Sequence, residues 1–320
     1  MPTLGVVFPG QGSQAASMGV DVAANFPAAR ECYDRASRVL GYNLLELCAN
    51  GSEEALRETR VSQPAIFTTN VAIYRAVESL GLAPVVSAGH SFGEYCSLTI
   101  AGSIAFDDAI GLVNERGLAM GAAADLSPGA MAAIIGFESD KVEELCARAR
   151  AATGGRVGLA NLNAPIQIVV SGDATAVNAA GEMAKAAGAK RVVMLNVSGA
   201  WHSELMGPAV TRFEKAIARA QIRMPLFAVV SNVEVVEYSS TDQIRRCLVA
   251  SLMSRVRWHE TAELVARRRP DFIVECGASS VLAPMMRRLP GVAADRCVSV
   301  SDAASVAKLE KLATAAETSA

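Results

Sequence analysis

Apolar and polar positions alternate along this chain in two rhythms. Short apolar runs recur as Leu4-Gly5-Val6-Val7-Phe8, Leu82-Ala83-Pro84-Val85-Val86, Leu226-Phe227-Ala228-Val229-Val230, Asp271-Phe272-Ile273-Val274-Glu275 and Cys297-Val298-Ser299-Val300. Such runs read as buried strands. Between them, apolar positions repeat at helical spacing around 28–40, 43–48, 52–58, 64–79, 94–101, 107–124, 204–221, 242–253, 260–268 and 279–288. Gln63-Pro64 reads as a helix start, with Pro in the first turn. Strands alternating with helices predict an α/β fold with an open, largely parallel sheet. The last residues, 311–320, are rich in Ala and Thr and are expected to fray.

The rhythm changes near Ser127-Pro128-Gly129. Strands are expected over 130–137, 156–162, 165–171 and 191–197, with helices over 139–151 and 173–187. The order βαββαβ is the ferredoxin-like arrangement, here an insert of about 70 residues, a small-domain size. Residues 1–127 and 198–310 then form the large subdomain and 128–197 the small one. The insert carries no metal or redox motif, so its fold says nothing about function.

The 320 residues are 51% hydrophobic with a formal charge of −2, enough for a large core and too little basic charge for a nucleic-acid partner. The 7 cysteines make no C-x-x-C and sit in apolar runs, as reduced thiols of a cytoplasmic protein would. No apolar run approaches the ~18 residues of a membrane span. The 3 histidines are too scattered for a His-based metal site, so no metal is expected.

Candidate chemistry begins at Gly89-His90-Ser91-Phe92-Gly93, a G-x-S-x-G pattern between a strand and a helix. A serine on such a turn is the nucleophile elbow: its hydroxyl stands clear of the sheet, and helix-start N–H groups face a developing oxyanion. A serine that merely caps the helix explains the same five residues. The loop Pro9-Gly10-Gln11-Gly12-Ser13-Gln14 is no phosphate loop. On residues alone it is a plain turn, from which Gln11 and Gln14 could reach a cleft. On the helix over 107–124, Arg116 falls on one stripe with Ala109, Leu112, Val113 and Met120, so it should point inward. A buried charge needs a partner, and that partner is either an internal acid or an anionic ligand. Among the histidines, His202 follows the strand that ends the insert, in the kind of strand-end loop that builds clefts in α/β sheets. It is the best candidate base for Ser91. No Asp stands out to orient its ring, and a backbone carbonyl can do so instead.

Taken together, several ordered stretches resemble one family. They are Phe8-Pro9-Gly10-Gln11-Gly12-Ser13-Gln14, Gln63-Pro64-Ala65, Gly89 to Tyr95, Glu115-Arg116-Gly117, Asn161-x-Asn163-x-Pro165-x-Gln167, Gly199-Ala200-Trp201-His202-Ser203, Val256-Arg257-Trp258 and Glu275-x-Gly277. The chain resembles the malonyl-CoA:acyl-carrier-protein transacylases, including the free-standing acyltransferases that serve polyketide synthases. The resemblance implies a hydrolase-like core with a ferredoxin-like insert. It implies Ser91 as nucleophile, His202 as base, and Gln11 with the Phe92 N–H as oxyanion hole. Arg116 would hold the carboxylate of a malonyl group, and Gln63, Asn161 and Trp201 would line the cleft. A carbonyl near Ser251, where the family usually has Gln, would hold the His202 ring. Malonyl-CoA and an acyl carrier protein would be the partners, with no cofactor beyond the CoA thioester used as substrate.

Two departures bear on the substrate. Trp201 stands where malonyl-selective members usually have Phe, and Phe92 where they have Leu, Val or Ile. Both enlargements are expected to crowd the acyl pocket against α-branched units, unless Trp201 swings out. Arg245-Arg246, Arg267-Arg268-Arg269 and Arg287-Arg288 are candidate contacts for an acidic carrier; each is also an ordinary solvated helix face. Rival readings are an acyl hydrolase that clears carrier proteins, a transacylase for another acyl donor, and a catalytically silent docking module.

Overall fold

A computed structural model describes residues 2–318. In chain order it places β1 (Thr3–Phe8), α1 (Val20–Asn25), α2 (Pro27–Leu40), α3 (Leu44–Asn50), α4 (Glu53–Arg57), α5 (Thr59–Glu78), β2 (Ala83–Gly89), α6 (Gly93–Ile100) and α7 (Phe106–Leu126). There follow β3 (Ala130–Ile135), α8 (Ser139–Thr153), β4 (Val157–Ala164), β5 (Gln167–Gly172), α9 (Ala174–Ala186) and β6 (Arg191–Met194). The chain then continues through α10 (Gly207–Arg219), β7 (Ala228–Val230), α11 (Thr241–Ala250), α12 (Trp258–Arg267), β8 (Phe272–Cys276), α13 (Ala283–Met286), β9 (Cys297–Val300) and α14 (Ala303–Thr318).

Among these residues the main sheet has the order β7-β2-β1-β8-β9, with every pair parallel. Its strands are apolar on both faces because helices cover both. One face packs on α5, α6 and α7 through Phe8, Phe67, Tyr95 and Val113. The other packs on α12 and α13 through Val7, Val86, Trp258 and Met286. The second sheet is antiparallel, ordered β4-β5-β3-β6, and α8 and α9 cover one face of it. This is the pairing a βαββαβ chain makes in a ferredoxin-like unit. We propose that this unit, over 128–197, be taken as the small subdomain. Its edge strand is tied to the rest: Val256 N–H donates to Ala160 O at 2.8 Å, and Leu162 N–H to Val256 O at 2.8 Å.

Several local expectations change. α5 begins at Thr59, so Pro64 lies inside the helix and not in its first turn. An interior proline costs roughly 3 kcal/mol. Close packing on α7 outweighs it: a Cβ on Gly117 would lie 2.9 Å from Thr59 O. Helix α1 stands before the first helix expected from periodicity. The helix expected over 279–288 shrinks to α13 because the buried Glu275 takes the N–H groups of Val281, Leu282 and Ala283 and the Ser299 hydroxyl. Glu275 is thus an internal cap, and Gly277 lets Pro9 close in, since a Cβ there would lie 2.4 Å from Pro9 Cγ. The tail does not fray from 311: α14 runs to Thr318 and buries Leu309 and Ala313, while 319–320 lie outside the described residues. All seven cysteines are buried free thiols. Among the described residues no helix is long and apolar enough to cross a membrane, and no group of three or more His, Cys, Asp or Glu side chains could hold a metal.

Glycine at 93 is dictated by contact: a Cβ would lie 2.4 Å from Phe8 O. Gly111, inside α7, has open space around it. Gly93→Ala is therefore expected to lose about 1–3 kcal/mol through overpacking. Gly111→Ala is expected to gain about 0.5–1 kcal/mol by restricting the unfolded chain. Chemical denaturation of both variants checks the contrast.

Candidate active site

The strand-to-helix turn after β2 is held in a strained form by its neighbours. Ser91 has φ 55°, a left-handed conformation that is rare outside glycine. Gly89 permits it, because a Cβ there would lie 1.9 Å from the Gly93 carbonyl carbon. Gly10 permits the next loop to approach, since its Cβ would lie 2.6 Å from His90 O. The Ser91 hydroxyl is thereby placed at the carboxyl ends of β1 and β2.

His202 meets it from the far side of the insert. Its φ is 58°, so both members of the pair sit in left-handed backbone. Nε2 lies 2.8 Å from Ser91 Oγ. Nδ1 lies 2.8 Å from Ser251 O and 3.1 Å from Ser254 O. Carbonyl oxygens only accept, so Nδ1 carries the proton and Nε2 presents its lone pair to the serine hydroxyl. Two carbonyls thus do the orienting that an Asp does elsewhere. Ser254 was not foreseen. Burial pulls the His202 pKa down to about 3, helped by the positive field of Arg116 and by His90. The ring is neutral and its free lone pair faces the Ser91 proton.

Arg116, on α7, is 1% exposed. Nη1 donates to Gln63 Oε1 at 2.8 Å and Nη2 to Ser91 Oγ at 3.4 Å, while Nε has no protein partner. Among the described residues no carboxylate forms an ion pair with it, so the internal salt bridge is absent. Burial lowers its pKa, partly offset by the fields of Tyr95 and Glu94. Gln63 is itself fixed by its amide donating to Thr59 Oγ1 at 2.8 Å.

A cavity of ≈ 80 Å³ lies among these groups, lined by Gln11, His90, Ser91, Arg116, Asn161, Trp201 and His202 with Met120, Met131, Leu195 and Val197; Gln63, expected in the cleft, is bonded to Arg116 and does not line it. Gln11 Oε1 accepts from Thr59 Oγ1 at 3.3 Å, which turns its NH₂ free. Gln14 does not reach the cleft. Its Oε1 folds back onto the Gly12 N–H at 2.8 Å. At the elbow the Ser91, Gly93 and Glu94 N–H groups are engaged by Asn232, His90 O and Ser91 O. Among the described residues that of Phe92 is left without an acceptor. The Phe92 ring is not part of the cavity wall: it is buried, 5.9 Å from the Arg116 guanidinium carbon. Of the two enlarged residues only Trp201 lines the cavity; its ring is buried and lies against Gly199, where a Cβ would stand 2.6 Å from it. His90 is half-buried beside Trp258, with Nε2 2.9 Å from Asn163 Oδ1, and it lines the cavity.

A serine hydroxyl, a neutral imidazole, the Gln11 amide and a guanidinium with no ion-pair partner among the described residues thus converge on one small cavity. The acyl transferase domain profile matches residues 6–318. The chain belongs to this family. It is 40% identical over 290 residues to the malonyl CoA-acyl carrier protein transacylase of Escherichia coli (strain K12), covering 90% of this chain and 93% of that one. It is 37% identical over 285 residues to the polyketide biosynthesis protein ThaF of Burkholderia thailandensis, covering 88% of this chain and 24% of that protein. Among solved structures, the malonyl CoA-acyl carrier protein transacylase from Coxiella burnetii superposes with a TM-score of 0.92 at 37% identity, covering 97% of this chain and 98% of that one. A malonyl-transacylase in complex with its type II PKS acyl-carrier protein superposes at 0.90 with 37% identity, covering 97% and 99%.

Asn232 was missed in the sequence, although it follows a strand-end run, the signal that singled out His202. Of the arginine clusters, Arg245 donates to Ile217 O and Ala220 O, Arg287 to Cys297 O, and Arg267 and Arg268 pair with Glu263 and Glu237. Among the described residues the side chains of Arg246, Arg269 and Arg288 form no such bond.

His202 is expected to stay neutral at pH 5. Ring-nitrogen NMR on labelled protein reads this directly; titration near 6.5 contradicts it. The unfolded chain binds the proton near 6.5 and folded His202 only near 3, so this group makes stability rise with pH across that window.

Proposed function

We propose that this chain moves a malonyl-type acyl group from CoA to the phosphopantetheine thiol of an acyl carrier protein of fatty-acid or polyketide assembly. The observation that carries this reading is the buried Arg116, which among the described residues forms no ion pair and stands beside the Ser91 hydroxyl. A planar guanidinium suits a carboxylate held by two parallel hydrogen bonds. Gln63 on Nη1 would yield to the incoming oxygen.

In the first half-reaction His202 Nε2 takes the Ser91 proton as Oγ attacks the thioester carbonyl. The oxyanion would form against the Phe92 N–H and the Gln11 amide, a pairing in which each donor is worth ~10²–10³ in rate. Collapse breaks the C–S bond, and the CoA sulfur leaves with the proton from His202. The carrier thiol then gives its proton to His202 and attacks the Ser91 ester, and Ser91 Oγ recovers the proton on leaving. No cofactor enters: CoA is a substrate. A cytoplasmic setting fits reduced, buried thiols. Arg246, Arg269 and Arg288 are candidate contacts for an acidic carrier.

Arg116→Ala is expected to lower loading of Ser91 by malonyl-CoA at least 100-fold while sparing or raising loading by acetyl-CoA. Intact-mass spectrometry, followed by holo-carrier protein, reads both halves. Malonyl loading that survives Arg116→Ala contradicts the reading, and loss of the acyl group to water rather than to carrier would favour a hydrolase. The buried Trp201 beside a ≈ 80 Å³ cavity supports a preference for malonyl over methylmalonyl units. Trp201→Phe is expected to relax that preference, as read by competing the two CoA esters.

A further inference from the structure

Between the elbow and the neighbouring strand lies a buried polar chain that the reaction above does not use. β7 pairs with β2 in parallel, with Ala88 opposite Val230. Two residues further on, the same register sets Asn232 beside the turn. Asn232 is 1% exposed, and its amide spans the elbow. Oδ1 accepts from the Ser91 N–H at 3.1 Å, and Nδ2 donates to Gly89 O and to Glu94 Oε2, the latter at 3.0 Å. Glu94, in the first turn of α6, is also 1% exposed. Its Oε2 takes the Asn232 N–H at 3.4 Å, and its Oε1 takes the Tyr238 hydroxyl. Buried polar groups of this kind stay only where their partners are complete.

The arrangement is more than capping. The amide closes a bridge from the carbonyl before the turn to the N–H of the nucleophile itself, across the residue pair whose backbone is strained. That N–H is thereby withdrawn from the cavity, which leaves the Phe92 N–H to face the reaction. Strain at Ser91 persists only where its surroundings over-determine it. We propose that Asn232, braced by Glu94 and Tyr238, is a positioning residue that holds Ser91 in its left-handed conformation and so aims Oγ at His202. This rests on Ser91 being the nucleophile assigned above.

A misplacement of about 1 Å at a reacting atom costs on the order of 10²-fold in rate. Asn232→Asp keeps the shape and the acceptor for Ser91, but a carboxyl group carries at most one proton where the amide carries two, so it cannot donate to both Gly89 O and Glu94. It is expected to lower the rate of Ser91 acylation by at least tenfold, with KM for malonyl-CoA within about threefold. Asn232→Ala is expected to do the same more strongly. Glu94→Gln preserves both the acceptor and a partner for Tyr238, so it should stay within about threefold of the parent. In the double variant Asn232→Asp, Glu94→Gln, the amide introduced at position 94 donates to the carboxylate introduced at position 232, and part of the lost rate should return. Phenylmethanesulfonyl fluoride, which carries no carboxylate for Arg116, labels Ser91 without the acyl donor. Its rate should fall in Asn232→Asp by the same factor as acylation. An unlabelled parent protein overturns the assignment of Ser91. A labelled parent with Asn232→Asp labelled equally fast, or a loss confined to KM, overturns the role of Asn232. Should Asn232→Ala not fold, the isosteric Asn232→Asp and Glu94→Gln variants decide alone.

Discussion

Burying a guanidinium without a carboxylate beside it costs on the order of several kcal/mol. Arg116 bears that cost in the middle of the molecule. Its stripe on α7 is otherwise apolar, and its only close partners among the described residues are an amide and a hydroxyl. Replacement by a packed apolar side chain would stabilise the fold, so the charge points to a ligand that completes it. The rest of the site follows from where that charge stands. It adds to the burial that keeps His202 neutral, and it lies within reach of Ser91.

The fold serves this arrangement through two constraints that are separate in sequence. One is the crowding of glycines at 10, 89 and 93, which lets β1, β2 and α6 meet backbone to backbone and forces Ser91 into left-handed geometry. The other is the antiparallel sheet, whose last strand leads the chain on to Trp201-His202. Its edge strand is fastened to Val256, and carbonyls of the neighbouring segment, Ser251 and Ser254, hold the His202 ring. The imidazole is therefore oriented by the same stretch that locks the insert in place.

Much of this was legible in the order of residues. The parallel sheet, the βαββαβ insert and the inward Arg116 follow from periodicity, and the turn at Ser91 follows from its glycines. What was not legible depends on contacts between distant segments. Pro64 lies within a helix because Gly117 lets α7 press on Thr59. The helix over 279–288 is short because Glu275 caps it from another strand. Gln14 looked as free as Gln11 until its side chain closed on its own loop. Phe92 looked like pocket wall, but the turn directs its ring into the core. Asn232 carried no motif of its own; only the β2–β7 register shows that it stands beside the elbow.

On the proposed function, Arg116 is completed by the carboxylate of the acyl group on Ser91. A crystal structure of the malonyl-Ser91 intermediate tests it most directly. The carboxylate is expected bidentate on Arg116, with Gln63 displaced from Nη1 and the ester carbonyl oxygen against the Phe92 N–H and Gln11. A carboxylate turned to solvent, with the Arg116–Gln63 bond of the free protein unchanged, would contradict it.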